Sequence, residues 1–77
     1  MIAPSIDRAH SAPAYRQIVD WARDAIASGE IDEGGRLPAE RTLAAELGVS
    51  RNTVVRAYEE LAADGLVIRH VGVGTIV

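Results

Sequence analysis

Three helical stretches punctuated by glycines, with only Gly48-Val49-Ser50 between the second and third, are followed by two β-branched runs around a glycine turn. This pattern predicts a mainly α domain carrying a small β-hairpin. Two short helices joined by so tight a turn make a helix-turn-helix, and a hairpin behind them makes a wing. The expected architecture is a winged helix-turn-helix of three helices plus a two-stranded wing.

Pro13 stands at a first helical position, where its missing N–H has no partner to lose. Tyr15, Ile18, Val19, Ala22 and Ile26 then follow i, i+3, i+4 spacing, with Asp20, Arg23 and Asp24 on the opposite face. Gly29 suits the left-handed residue that ends a helix, so helix one runs roughly from Pro13 to Ser28. Trp21 flanks the stripe and either fills the edge of the core or meets a second subunit. Gly34-Gly35 marks a turn, Arg36-Leu37 a very short strand, and Pro38 opens a second helix of about nine residues.

In that second helix Glu40 lies in the first turn, where a carboxylate suits the positive end of the dipole. Leu43, Ala44 and Leu47 form its apolar face and Gly48 ends it. Ser50 is the expected N-cap of helix three. Thr53 at N3 lacks the reach of Glu or Gln, so the reciprocal half of a capping box is missing. Val54, Ala57, Tyr58 and Leu61 form the buried stripe, and Gly65 terminates it. Leu66-Val67-Ile68 and Thr75-Ile76-Val77 are the two wing strands, with Arg69-His70-Val71-Gly72-Val73-Gly74 at the tip. Residues 1–12, without sustained periodicity, read as a flexible or loosely docked arm, and residues 13–77 as the domain.

Length and composition bound the function. Seventy-seven residues make one small domain that buries only about 60% of its unfolded surface. The absence of cysteine excludes disulfides and thiolate metal sites, and suits the cytoplasm. No apolar run approaches a membrane span, and the first residues lack the charged start and apolar middle of a signal peptide. His10 and His70 have no motif partners, so neither a catalytic constellation nor a metal site is expected, and no cofactor. The Gly-x-Gly at Gly72 is not a nucleotide loop, because no helix follows it to hold phosphate.

A net charge of −3 argues against a nucleic-acid partner, but its distribution does not. Residues 1–35 hold six acids and three arginines, and residues 59–77 hold three acids and Arg69. Between them, Arg36, Arg41, Arg51 and Arg56 stand against Glu40 and Glu46, a net +2. Local sign outweighs total charge over a screening length of about 8–10 Å.

In a helix-turn-helix the first residues of the second helix approach base edges in the major groove. Arg51 and Asn52 are the base-reading candidates, since arginine matches guanine O6 and N7 and asparagine matches adenine. Ser50 and Thr53 hydroxyls suit phosphate oxygens, and Arg56 lies one turn along. The plain alternative is a solvated helix start with Ser50 as a cap. Arg36 and Arg41 either grip phosphates or form surface ion pairs, for example Arg41 with Glu40 or Glu46. Gly72 either brings wing backbone close to a groove or simply makes a turn.

The segments Tyr15-Arg16-Gln17-Ile18, Gly35-Arg36-Leu37-Pro38-Ala39-Glu40-Arg41, Gly48-Val49-Ser50-Arg51-Asn52-Thr53-Val54, Ala57-Tyr58, Gly65-Leu66 and Gly72-Val73-Gly74-Thr75 together resemble the N-terminal domain of GntR-family regulators, over about residues 13–77. The resemblance implies a winged helix-turn-helix that binds a short palindromic operator in double-stranded DNA, commonly as a repressor. It also implies a homodimer formed through an effector-binding domain absent from these residues. It carries DNA contacts onto Arg41, onto Ser50, Arg51, Asn52 and Thr53, and onto Gly72. Val55 stands where many members have arginine. The run Asn52-Thr53-Val54-Val55-Arg56-Ala57-Tyr58, with Ile6-Asp7 and Pro13-Ala14-Tyr15, is more similar to the YtrA or MocR branches, although the second helix of MocR-like proteins usually starts differently from Pro38-Ala39-Glu40-Arg41. MocR-like members carry an aminotransferase-like domain that binds pyridoxal phosphate. Two rival functions follow: a protein-binding winged helix, and the regulatory head of such an aminotransferase-like protein.

Overall fold

The computed structural model describes residues 5–7, 11–70 and 72–77. Residues 1–4 and 8–10 of the expected arm, His10 among them, and Val71 of the expected wing tip lie outside the described residues. The described chain forms α1 (Ala14–Ala27), α2 (Glu40–Leu47), α3 (Arg51–Ala63), β1 (Ile68–His70) and β2 (Gly74–Ile76). This is the expected three helices plus a two-stranded antiparallel wing.

The core follows from the stripes. Ile18, Val19 and Ala22 of α1 meet Val54, Ala57, Tyr58 and Leu61 of α3, with Leu43 of α2 and Leu37 closing the remaining side. All of these are at most 2% exposed. Trp21 is half-buried and packs on the rim of this cluster, as the first of its two readings required. Two ion pairs, Arg16 with Glu60 at 3.2 Å and Arg23 with Asp64, fasten α1 to α3 outside the core. Within the expected arm, Ile6 also packs on the core, and the Gln17 side chain clasps the Asp7 backbone N–H and carbonyl at 2.8 and 2.9 Å.

Helix ends are set by local chemistry. Gly48 closes α2 at φ 69°, a left-handed conformation that glycine adopts without a Cβ penalty. At the end of α3 the Gly65 N–H donates to the Ala62 carbonyl and the Leu66 N–H to the Leu61 carbonyl, satisfying carbonyls that the helix leaves open. Ser50 caps α3 as expected: its Oγ accepts from the Thr53 N–H at 3.2 Å. Thr53 Oγ1 lies 2.9 Å from Ser50 Oγ, so the short N3 hydroxyl bonds the cap hydroxyl instead of completing a capping box.

The second wing strand spans Gly74–Ile76, one residue earlier than the expected Thr75-Ile76-Val77, and two further boundaries differ from expectation. The second helix begins at Glu40, not Pro38. The Pro38 carbonyl accepts from the Tyr58 hydroxyl at 2.7 Å, and the first helical bond runs from the Leu43 N–H to the Ala39 carbonyl. The first wing strand begins at Ile68, not Leu66, because the Leu66 N–H is spent on α3 and Val67 turns into the core. Arg69 and His70 are therefore strand residues, paired with Thr75 and Gly74, and not part of the tip.

The expected short strand at Arg36-Leu37 exists as an antiparallel bridge between Arg36 and Ile76. Around it, the Leu37 N–H donates to Thr75 at 2.9 Å and the Val77 N–H to Gly35 at 2.8 Å. These bonds dock the wing beside the segment leading into α2, and so fix the wing relative to the start of α3.

Candidate nucleic-acid interface

Three backbone ends converge on one open cleft of about 780 Å³: the start of α2, the start of α3 and the wing. Pro38 through Thr42 form one wall, Arg51 contributes from α3, and Arg69, His70 and Gly72 through Thr75 form the wing side. The sequence-predicted residues Arg41, Arg51 and Gly72 thus share a single site. A smaller hollow lies between the starts of α1 and α3 and is lined by Pro13, Ala14, Tyr15, Asn52, Thr53 and Arg56. Asn52, Thr53 and Arg56 meet there, on the other flank of the same helix start. Ser50 and Arg36 line neither opening. Arg36 is exposed, with its aliphatic stem across Gly74, whose added Cβ would stand 3.4 Å from Arg36 Cδ.

The electrostatics of the main cleft centre on Glu40. Its Oε1 accepts from Arg51 Nη2 at 3.5 Å and its Oε2 from Arg69 Nη2. One carboxylate therefore connects the recognition helix to the wing. The Glu40 side chain is only 17% exposed, whereas that of Arg51 is 58% exposed. The acid is the fixed end of the pair and the guanidinium the free end. Glu40 also acts on Tyr58: burial first, and the nearby carboxylate second, push the phenol pKa far above its ordinary value. Tyr58 is held neutral and remains a hydrogen-bond donor to Pro38.

Arg41 is exposed at the cleft and pairs with no carboxylate among the described residues, so neither the Glu40 nor the Glu46 pairing considered for it is formed. Arg56 stacks on the Tyr15 ring with its guanidinium carbon 3.8 Å from the centroid. Such stacking uses the face of the guanidinium and leaves its edge donors available. The four arginines thus fall into three kinds: Arg41 and Arg36 carry no acidic partner among the described residues, Arg56 is braced on a ring, and Arg51 is braced by an acid.

Sequence reasoning missed Glu40 and Tyr15 as bracing groups. Glu40 is 11 and 29 residues from its two arginines, and no local spacing signals such contacts.

Residues 14–77 match the family described as bacterial regulatory proteins, gntR family. The chain belongs to the GntR family. Over its full length it is 43% identical to the uncharacterized HTH-type transcriptional regulator YdfD of Bacillus subtilis, and covers 16% of that protein. It is 40% identical over 70 residues, 91% of the chain, to the probable rhizopine catabolism regulatory protein MocR of Rhizobium meliloti, covering 14% of it. It is 44% identical over 66 residues, 86% of the chain, to the histidine utilization repressor of Pseudomonas putida, covering 27% of it. The chain spans less than a third of each of these relatives.

Two solved structures superpose closely on this GntR domain. YtrA from Sulfolobus acidocaldarius, a GntR-family transcription factor, gives a TM-score of 0.90 at 36% identity, over 99% of this chain and 80% of that one. The AraR DNA-binding domain in complex with operator ORX1 gives 0.83 at 30% identity, over 94% and 86%. In fold and family the chain is a GntR-type winged helix-turn-helix domain. Among the described residues, no helix is long and apolar enough to cross a membrane.

Proposed function

We propose that this domain binds a short palindromic operator in double-stranded DNA on behalf of a bacterial transcriptional repressor working in the cytoplasm. The observation that carries the reading is the convergence of Arg41 and Arg51, both from the net-positive residues 36–58, with the Gly72 turn around one open cleft. The start of α3 enters the major groove, where Arg51 and Asn52 read base edges. Ser50, Thr53, Arg41 and Arg36 hold phosphates and set the register. Arg56, braced on Tyr15, reaches the backbone one turn further along α3. Gly72, at φ 80°, lets the wing backbone approach the neighbouring groove. The operator complex of the similar AraR domain and the repressor among the relatives support this reading. The full-length protein acts as a homodimer through a region outside this domain, which places two copies of α3 on the two halves of the operator.

The test is a salt titration of duplex binding. If phosphates are neutralised, log affinity falls with log salt by about 0.9 for each phosphate contacted. Failure to bind any duplex at low salt sinks the operator reading and favours a protein partner.

A further inference from the structure

We propose that Glu40 is a specificity-determining positioning residue, a carboxylate that aims Arg51 at one base edge and withholds both Arg51 and Arg69 from indiscriminate phosphate binding. The inference rests on the operator reading above and concerns how the same site rejects wrong sequences.

A carboxylate lining a cleft that receives a polyanion lowers affinity for every duplex alike. Its presence there calls for a gain elsewhere, and the geometry points to discrimination. Glu40 stands in the first turn of α2, with Pro38 just before it anchored through its carbonyl to Tyr58. Its two oxygens engage different arginines, one on α3 and one on β1. With the acid largely buried and Arg51 largely exposed, the ion pair restrains an arginine that otherwise samples many rotamers. Among the described residues Arg51 bonds Glu40 through Nη2 alone, which leaves its other guanidinium N–H groups for a guanine edge. An arginine so held is biased away from a nearby phosphate when the wrong base is present. Glu40 with Arg51 and Arg69 carries a net charge of +1, and removing the carboxylate frees a second cation for any backbone.

The experiment compares the 77-residue chain with Glu40→Gln, which keeps side-chain size and removes the charge. Each is titrated by fluorescence anisotropy against the tightest duplex selected by the unmodified chain and against a random-sequence duplex of equal length, at several salt concentrations. Glu40→Gln is expected to bind the random duplex several-fold tighter, with a log–log salt slope steeper by about 0.9. The ratio of selected to random affinity is expected to fall about tenfold, within the range of one good base contact. In an Arg51→Ala background the same substitution should leave that ratio unchanged, because the restrained group is gone. Glu40→Asp, charged but one methylene shorter, should keep the parental salt slope while losing part of the discrimination.

The inference is overturned if Glu40→Gln retains both slope and ratio, or if the ratio falls equally without Arg51. A parallel loss of affinity for both duplexes also overturns it, since that outcome marks a purely structural role. If the unmodified chain binds no duplex, the operator reading fails and this inference with it; binding by that chain without the Glu40 effects refutes the inference alone.

Discussion

Replacing Tyr58 with Phe removes a single oxygen from a side chain with no exposed surface. The aromatic packing between α1, α2 and α3 is retained, so the change isolates the 2.7 Å hydrogen bond to the Pro38 carbonyl. That carbonyl loses its donor next to the first turn of α2. Leaving such a group unsatisfied costs about 1–3 kcal/mol. For a domain of this size, each kcal/mol moves Tm by about 4–8 °C, so Tyr58→Phe should melt roughly 5–20 °C lower near neutral pH.

The same residue gives the deficit a pH signature. The folded-state pKa of Tyr58 is raised, so its contribution is fully present below the unfolded-state value of about 10 and is lost as pH rises beyond it. At pH 11 the unfolded phenol is mostly ionised while the folded one is not, which costs the parent chain about 1.4 kcal/mol that the Phe variant does not lose. The gap between the two proteins should therefore narrow by that amount between pH 7 and pH 11. Circular dichroism melts at both pH values measure it. Equal melting temperatures at pH 7, or a gap unchanged at pH 11, would refute the reasoning.

Arg51→Ala should weaken binding to the selected duplex by about 1–3 kcal/mol and make one base pair per half-site interchangeable, as read on a panel of single-substitution duplexes. Its guanidinium is the exposed end of a 3.5 Å pair, so its removal should cost about 1 kcal/mol of stability and the variant should stay folded. Arg41→Ala should lower affinity for all duplexes by a similar factor and flatten the log–log salt slope by about 0.9; a change confined to particular sequences contradicts a phosphate role. Gly48→Ala places a Cβ at φ 69° in the turn between α2 and α3 and should destabilise the domain by about 1–2 kcal/mol in a urea titration. An unchanged urea midpoint means that the turn relaxes out of the left-handed conformation.

The helix-turn-helix was legible because its signals are local. Gly48 is left-handed, Ser50 caps α3, and the stripes at Ile18, Val19, Ala22 and at Val54, Ala57, Tyr58, Leu61 are buried as their spacing requires. A glycine terminator, a cap and a 3.6-residue period each act within one or two turns of chain. The wing was legible as a hairpin, but its register was not. The sequence pattern marks Leu66-Val67-Ile68 equally as strand, whereas the start of β1 depends on where α3 releases the Leu66 N–H and on Val67 filling the core. Similarly, Pro38 carries a general preference for helix starts, and only the arrival of the Tyr58 hydroxyl from α3 shows that its carbonyl is used elsewhere.

By itself, then, the sequence determined the order of elements, their buried faces, and the placing of Arg51 and Asn52 at the polar start of the third helix. The tertiary structure alone decided which partners those arginines keep. Arg51 is tied to Glu40, Arg56 lies on Tyr15, and Arg41 has no acidic partner among the described residues. Arginine and glutamate side chains have many rotamers of similar energy, and sequence neighbours bias them only weakly. Their partners are chosen by how the helices and the wing are packed, and by how deeply the acid is held. Before α2, α3 and the wing are brought together, Glu40 is simply an acid in the first turn of a helix; afterwards it joins the recognition helix to the wing.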